Sequence, residues 1–172
     1  MRGTNFLEQW YPYPENITAL TIDAPERFKD FNKYFPQVTL AFGDGRELKF
    51  QDNSFDIVFC NAVVEHVGKR GDQRQFIREI VRVGKKAFVT TPNLYFPIDA
   101  HTLIPFAHWL PKRMRFWIYK KLGREYWADV IHLNLLTPRN FLSLFPERIR
   151  VRIYKQKKFG IASNLIALME KK

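Results

Sequence analysis

Two aspartates each follow an apolar run of the sequence and precede a turn or a helix start. Asp23 follows the first such run, and Asp44 stands between Gly43 and Gly45 after the second. Ligands of open α/β sheets bind beyond the carboxyl ends of the strands, where a carboxylate accepts hydrogen bonds from hydroxyl or amine groups. Two local roles stay open: Asp23 also suits a helix N-cap, and Gly-Asp-Gly suits any turn.

Histidines form a second group of candidates, and the chain has four of them. An imidazole with an ordinary pKa near ~6.5 suits proton transfer around neutral pH. We expect His101 to be the first candidate for a substrate-facing base and His108 the second, while His66 orients the substrate or acts as a base. We expect no metal site, because Cys60 has no cysteine partner and no two histidines share the close helical spacing of many zinc sites.

Alternating strand and helix patterns must position these residues. Runs of β-forming residues predict parallel strands at 17–22, 38–41, 55–60 and 87–91. Helical spacing predicts one helix beginning at Pro25 and another over 72–83, which Gly84 ends. The run 55–60 is apolar enough that we expect both faces of its strand to be covered. Strands alternating with helices predict βαβ units and a parallel sheet.

The C-terminal third has a different pattern. Thr137 and Pro138 form a cap and first turn that predict a helix through Phe145. Residues 148–155 alternate between arginine and β-branched residues, which predicts a half-covered strand near a sheet edge. A last strand is expected over 164–169. This order predicts a mostly parallel α/β sheet that closes with an antiparallel pair.

The segment from Phe42 to Val67 carries a family resemblance. Its Gly-Asp-Gly turn, its Asn53-Ser-Phe-Asp56 turn and its Glu65-His66 pair resemble the central third of class I S-adenosylmethionine-dependent methyltransferases, in the broad type 11-like group. The resemblance implies a Rossmann-like sheet, S-adenosylmethionine as cofactor, and O- or N-methylation of a small-molecule or lipid- or sugar-linked substrate. It also implies that Glu65 and His66 begin the helix after the fourth family strand.

The resemblance further implies which residues bind the cofactor. Asp23 would bind the ribose hydroxyls, Asp44 the adenine amino group, and the backbone of Asn61 and Ala62 would lie against the cofactor. The full expected set is Gly3, Asp23, Ala24, Gly43, Asp44, Gly45, Asn61 and Ala62. Residues 93–136 resemble the lid insertion that follows the fifth family strand, within a single domain spanning 1–172.

The family's first strand and glycine-rich loop are expected upstream of Asp23, but the sequence begins within that region, with Gly3 as the candidate last glycine. The resemblance therefore implies an N-terminally truncated sheet. Three explanations stay open: a truncated or mis-started gene product, a partner that supplies the strand, or a diverged protein that no longer methylates. We favour the first.

Composition limits location and partners. The chain has 172 residues, 46% of them hydrophobic, and a net charge of +11. No apolar run is long enough for a bilayer span, no secretory signal is visible, and Cys60 is the lone cysteine, so we expect a cytoplasmic protein. The positive charge, concentrated beyond residue 110, favours anionic partners or a solvated basic face.

A second function class therefore stays open beside the enzyme. A methyltransferase-like remnant without activity would bind an anionic membrane surface or nucleic acid through its basic C-terminal half. Nucleic acid is the less favoured partner, because no recognition motif accompanies the charge. The segment 112–124 mixes six basic residues with aromatic ones, but its basic residues spread around the helix, so a lid helix is expected rather than a membrane anchor.

Overall fold

The computed structural model of the protein describes residues 6–171. The described residues form two compact units, one ending at Lys49 and the other beginning at Phe50. The single domain expected over 1–172 stays a prediction.

The first unit is built on two parallel strands. β1 (Thr18–Thr21) pairs in register with β2 (Thr39–Phe42), so that the two strands end at the same level. A short helix, α1 (Phe6–Trp10), precedes them, and α2 (Phe31–Tyr34) lies between them. Both strands confirm the sequence-based expectation.

The helix expected to begin at Pro25 is broken. A 3-10 turn over Pro25–Phe28 comes first, and α2 follows as a separate four-residue helix. The rings of Phe28, Phe31 and Phe35 still pack in series, with centroids 6.3 and 5.2 Å apart. Aromatic residues lose rotamer freedom in a helix, and so short a segment gains little from helix propagation. The packing of the three aromatic rings therefore stabilises this segment more than a continuous helix would.

The second unit holds a four-stranded sheet with the order β3-β4-β6-β5. β3 (Phe55–Asn61) pairs with β4 (Gly84–Pro92) in parallel, while β6 (Ile161–Glu170) runs antiparallel between β4 and β5 (Arg150–Lys158). The sheet is therefore mixed, with parallel strands first and an antiparallel C-terminal strand inserted beside the last parallel one. The expected edge position of the arginine-rich strand is confirmed.

The long helix α3 (Arg70–Val83) connects β3 to β4 and supplies one side of the core. Its buried stripe packs with strand residues of β4 and β6 and with the short helix α5 (Pro138–Leu142). The side chains shared by this core include Phe76, Ile77, Ile80, Val81, Val89, Phe141, Leu165 and Ala167. The helix expected over 72–83 is confirmed, with its start two residues earlier.

Gly84 lies where α3 ends and β4 begins, at a point with no room for a side chain. A Cβ at this position would lie 2.7 Å from Val58 Cγ2, 3.0 Å from the Lys86 carbonyl oxygen and 3.1 Å from that of Ile80. Two of these neighbours are backbone atoms, which cannot turn away. The glycine is thus required by close approach and not by its backbone angles, since its φ is −98°.

The expectation that β3 is covered on both faces is wrong for this structure. Ile57 is 66% exposed and Phe59 43% exposed, although Cys60 is buried. Within residues 6–171, β3 pairs with β4 alone and forms one edge of the four-stranded sheet. Apolar composition predicted two-sided burial, but coverage depends on neighbours that the sequence of a strand does not specify.

Residues 93–136 form loops and short helices beside this sheet. A 3-10 turn spans Ala107–Trp109, α4 spans Lys112–Lys121, and a second 3-10 turn spans Glu125–Ala128. The α5 helix begins at Pro138, where the Thr137 hydroxyl accepts a hydrogen bond from the Asn140 amide at 3.1 Å, as the cap pattern predicts. Over residues 6–171, no helix combines the length and the apolar character that crossing a membrane requires.

Candidate functional site

Asp23 and Asp44 occupy equivalent positions in the first unit. Thr21 and Phe42 are register partners at the carboxyl ends of β1 and β2, and each aspartate lies two residues beyond its strand. The Gly43 amide donates a hydrogen bond to the Thr21 carbonyl at 2.9 Å, which extends the pairing to this level. Both carboxylates are partly exposed, at 47% for Asp23 and 34% for Asp44. The structure thus places two accessible acids at the ligand-binding end of a parallel pair.

The Asp44 carboxylate is held by its near neighbour Arg46. The guanidinium donates from Nε and Nη2 at 2.6 to 3.0 Å, and the Arg46 amide donates to Oδ1 at 2.8 Å. The side-chain hydrogen bonds from Arg46 hold the pKa of Asp44 below its ordinary value, although partial burial acts in the opposite direction. A turn from Asp44 to Glu47 closes the loop and fixes the orientation of the acid. Because the pKa of Asp44 is lowered, the acid is ionised.

Asp23 does not cap a helix in this structure. Ala24 occupies the N-cap position of the 3-10 turn that follows, and no side-chain cap bond is present there. The Asp23 carboxylate instead accepts a hydrogen bond from Arg27 at 3.1 Å, in an exposed pair. The alternative role of Asp23 as an N-cap is therefore wrong. Gly45 lies in the turn after Asp44, and Gly3 lies outside the described residues.

Asn61 and Ala62 end β3 in the second unit. The Ala62 amide donates to the Thr90 carbonyl at 3.2 Å and to the Thr90 hydroxyl at 3.0 Å, and that hydroxyl donates to Asn61 Oδ1 at 2.6 Å. Ala62 has a φ of +53°, which is uncommon for a residue with a side chain. A strained, exposed turn at the carboxyl end of a parallel strand is a typical feature of a functional site.

Glu65 and His66 lie in a 3-10 turn over Val64–His66, so the expectation that they begin a helix is wrong. The buried Gln73 amide, on the first turns of α3, donates to the Val64 carbonyl at 2.9 Å. The Asn134 amide donates to the Glu65 carbonyl at 2.7 Å. These hydrogen bonds hold Val64–His66 in a tight turn that is separate from α3, which begins only at Arg70.

The Glu65 side chain is fully buried. Its Oε2 accepts a hydrogen bond from the Thr91 hydroxyl at 3.1 Å, while Oε1 has no hydrogen-bond partner among the described residues. Burial raises the pKa of Glu65 to about 7, although hydrogen bonding lowers it in part. A buried carboxylate with one unsatisfied oxygen is costly unless another group completes its contacts.

His66 and His101 meet directly. Their Nε2 atoms are 2.9 Å apart, and the rings cross edge to face at 80° with centroids 4.6 Å apart. His66 Nδ1 lies 2.7 Å from the His132 carbonyl oxygen, and His101 Nδ1 lies 3.0 Å from Asp99 Oδ1. Burial lowers the pKa of His66, and the contact with the His132 carbonyl opposes that shift in part. The two histidines form one cluster although 35 residues separate them.

Asp99 and Trp127 complete the surroundings of this cluster. The Asp99 side chain is fully buried, and its Oδ2 accepts hydrogen bonds from the amide and hydroxyl of Thr102, both at 2.9 Å. Burial raises the pKa of Asp99, but the hydrogen bonds from His101 and Thr102 outweigh it and the net pKa is lowered. The Trp127 ring packs against both imidazoles, with centroids 5.7 Å from His66 and 4.9 Å from His101.

His108 has its contacts elsewhere. It is buried, its Nε2 lies 3.1 Å from the Leu94 carbonyl oxygen, and its ring packs on Trp109. Of the three predicted histidines, the structure therefore brings His66 and His101 together and holds His108 within its own loop.

The sequence did not identify Asp99 or Trp127 as site residues. The two-residue spacing of Asp99 and His101 was the one available signal for an acid that orients a histidine. Trp127 carries no sequence signal, because its contact depends on how residues 93–136 fold.

Comparisons with known proteins show the family and the fold. A family model described as a methyltransferase domain matches residues 2–87, half of the chain. The fold is similar to the PH0226 protein from Pyrococcus horikoshii, with a TM-score of 0.60, 15% identity, and coverage of 91% of this chain and 71% of that one.

Two further solved structures are similar at the level of fold. A SAM-dependent methyltransferase from Methanosarcina mazei matches with a TM-score of 0.57 and 15% identity, over 89% of this chain and 81% of that one. The YcgJ protein from Bacillus subtilis matches with a TM-score of 0.56 and 13% identity, over 90% and 82%. The matching family model, which covers half of the chain, leads to one conclusion: the chain belongs to the methyltransferase domain family, whose cofactor is S-adenosylmethionine.

Proposed function

We propose that the protein transfers a methyl group from S-adenosylmethionine to a hydroxyl or amine of a small or lipid- or sugar-linked acceptor, whose proton passes to the His66–His101 pair. The observation that carries this proposal is the approach of His101 Nε2 to His66 Nε2, at 2.9 Å, in a half-buried cluster with a fully buried Asp99 behind it.

The first unit suits the adenosine part of the cofactor. Asp23 and Asp44 present partly exposed carboxylates in the same register beyond β1 and β2. Carboxylate oxygens accept hydrogen bonds from ribose hydroxyls and from the adenine amino group. Because Arg46 already donates to both oxygens of Asp44, the adenine amino group must share or replace one of those hydrogen bonds.

S-adenosylmethionine supplies a methyl group on a positively charged sulfur, so the donor is already activated when it is bound. The chain's own residues must then orient the acceptor and receive its proton. His101 is oriented by Asp99 and His66 by the His132 carbonyl, so the Nε2 atoms are the ring nitrogens that remain to handle a proton. The two imidazoles remain partly accessible, at 32% for His66 and 17% for His101.

An acceptor with an apolar part is favoured by exposed aromatic side chains in residues 93–136. Trp109 is 48% exposed, Phe106 53% and Trp117 59%. Large exposed apolar side chains grouped in one segment are typical of binding surfaces for apolar ligands. The exposed aromatics therefore support a lipid-linked acceptor over a fully polar one.

The alternative of a remnant that binds anionic partners has one observation in its favour. The edge strand β5 exposes a row of basic residues, which consists of Arg150, Arg152, Lys155, Lys157 and Lys158. Such a row attracts anionic surfaces whether or not the chain is an enzyme.

The test is the formation of S-adenosylhomocysteine. The purified chain is incubated with S-adenosylmethionine and a panel of hydroxyl- and amine-bearing lipids, sugars and small molecules. We expect acceptor-dependent turnover that the His101→Ala variant reduces by about 100-fold or more, since a positioned base contributes roughly that much. The matched control, Glu170→Gln, changes an exposed acid on β6 and should retain turnover. No turnover with any acceptor class, combined with vesicle binding that depends on β5 lysines, would replace this proposal with the remnant.

A further inference from the structure

The hydrogen-bond acceptors around His66 and His101 fix where the ring hydrogens lie. The His132 carbonyl oxygen can only accept, so His66 carries its hydrogen on Nδ1 and donates it there at 2.7 Å. Asp99 accepts from Thr102 through Oδ2 and from His101 Nδ1 through Oδ1. His101 therefore also carries its hydrogen on Nδ1.

A conflict follows at the other edge of the two rings. In a neutral imidazole only one nitrogen carries a hydrogen, so both Nε2 atoms present a lone pair. These two lone pairs face each other at 2.9 Å. The arrangement is stable only when a positive species, either a proton or a metal ion, lies between them.

Glu65 directs a third lone-pair atom to the same place. Its Oε1 lies 3.9 Å from His66 Nε2, on a fully buried side chain, and has no hydrogen-bond partner among the described residues. A proton shared by the two histidines would leave this oxygen unsatisfied. A cation bound by all three atoms would satisfy it.

We propose that Glu65, His66 and His101 form a binding site for a divalent transition-metal cation, with Zn²⁺ as the best match. The three ligand atoms lie within 4.8 Å of one another. Two imidazole nitrogens and one carboxylate oxygen are a ligand set that zinc accepts, and a fourth position stays open.

Zinc coordination would require the three ligand atoms to shift. Bonds of about 2.0 to 2.1 Å at a tetrahedral angle separate two zinc ligands by roughly 3.3 Å. The two Nε2 atoms must therefore move apart by a few tenths of an ångström, and Glu65 Oε1 must approach His66 Nε2 by about half an ångström.

The surroundings already supply the outer contacts that metal-binding histidines need. Such histidines donate their second ring hydrogen to a carboxylate or a backbone carbonyl, which fixes the ring and makes the free nitrogen more basic. His101 has Asp99 in that role, and His66 has the His132 carbonyl. Each of the two histidines therefore already has an outer hydrogen-bond acceptor.

Sequence spacing could not indicate this site. The expectation that no metal is bound relied on the lone cysteine and on the absence of closely spaced histidines. His66 and His101 are 35 residues apart and meet because the 3-10 turn after β3 and the loop after β4 lie side by side. Those two criteria therefore do not bear on the His66–His101 pair.

The role of the cation rests on the proposed function, whereas its binding does not. In the cation-free protein the two Nε2 atoms share a proton, and the pair can receive the acceptor's proton only after it has lost this one. With a cation bound, the fourth position would be open to the acceptor's oxygen or nitrogen. The metal would make that group more acidic, and its proton would leave to solvent because both Nε2 lone pairs would be bound to the metal.

The test is calorimetric titration of the tag-free, chelator-treated chain with ZnCl₂, without cofactor or acceptor. We expect about one equivalent of Zn²⁺ to bind, and we expect Glu65→Gln and His101→Ala each to weaken binding by about 10-fold or more. Glu65→Gln keeps the shape of the side chain, and circular dichroism checks that each variant is folded. Glu170→Gln, which changes an exposed acid, is the matched control and should bind like the wild type.

A second measurement reports on the position of the metal. Trp127 lies 4.9 Å from His101 between ring centroids, so Co²⁺ bound here should quench tryptophan fluorescence, and Trp127→Phe should remove most of that change. Absence of Zn²⁺ binding, or equal binding by wild type, Glu65→Gln and His101→Ala, would overturn the proposal. Neither measurement needs turnover. The metal-site proposal can therefore be wrong while methyl transfer is observed, and it can be right while no methyl transfer is observed.

Discussion

Asp99 lies fully buried behind His101 and accepts a hydrogen bond from its Nδ1 at 3.0 Å. This single contact determines which nitrogen of His101 faces the cluster. An acid that orients a histidine in this way affects chemistry without touching the substrate.

Asp99→Asn should lower methyl transfer by about 10- to 100-fold, because an amide in this position can donate to Nδ1 and reverse the ring hydrogen. The same change should weaken Zn²⁺ binding. The measurements are initial rates of S-adenosylhomocysteine formation and Zn²⁺ calorimetry. Asp99→Glu, which keeps a carboxylate, should recover part of both; equal loss in the two variants would argue for a packing role.

Gly84→Ala should destabilise the protein by about 1 to 3 kcal/mol, because the new methyl group would clash with the carbonyl oxygens of Ile80 and Lys86. The measurement is urea unfolding followed by circular dichroism. Gly71→Ala is the matched control: no atom lies within 4 Å of its added Cβ, and α3 should gain up to about 1 kcal/mol from helix propensity. A Gly84→Ala protein as stable as the wild type would contradict the close approach described here.

The thiol of Cys60 should be inert in the folded protein. It is buried in the main core, and burial raises its pKa to about 12, so the reactive thiolate is scarce at neutral or mildly alkaline pH. Ellman's reagent at about pH 8 should label the protein only after denaturant is added. Rapid labelling of the native chain would show that β3 opens at its exposed edge.

Asp44 should stabilise the fold in a pH-dependent way. The pKa of Asp44 is lowered in the folded state by hydrogen bonds from Arg46, so its contribution is present above the ordinary value of 3.8 and is lost as the pH falls through the lowered folded value. Asp44→Asn should therefore be less stable than the wild type at neutral pH, by a small amount because the pair is partly exposed. Unfolding of both proteins along a pH series should show the difference closing below pH 3.8. A constant difference would exclude this ionisation as its cause.

Much of the fold follows from local sequence patterns. The alternation in residues 148–155 predicted the edge strand β5, and the apolar stripe of residues 72–83 predicted α3, because both patterns record which face is buried. The coverage of β3 was not predictable, since Ile57 and Phe59 have the composition of a buried strand but lie exposed in this sheet.

The candidate site was predictable in part for a similar reason. Asp23 and Asp44 follow strands, and parallel pairing places strand ends at one level, so their shared register follows from topology. The His66–His101 contact joins two segments through tertiary packing, and no periodicity records it. Asp99 and Trp127 also join the site through tertiary packing.

We infer that this chain binds S-adenosylmethionine through the acids beyond β1 and β2. The most direct test is calorimetric titration with S-adenosylhomocysteine of the wild type, of Asp44→Ala, and of Asp30→Ala as a control acid that follows neither strand. We predict binding in the micromolar range for the wild type and Asp30→Ala, and affinity lower by about 10-fold or more for Asp44→Ala, which loses a charged hydrogen-bond acceptor. No binding by the wild type, or equal affinity in all three proteins, would contradict the account.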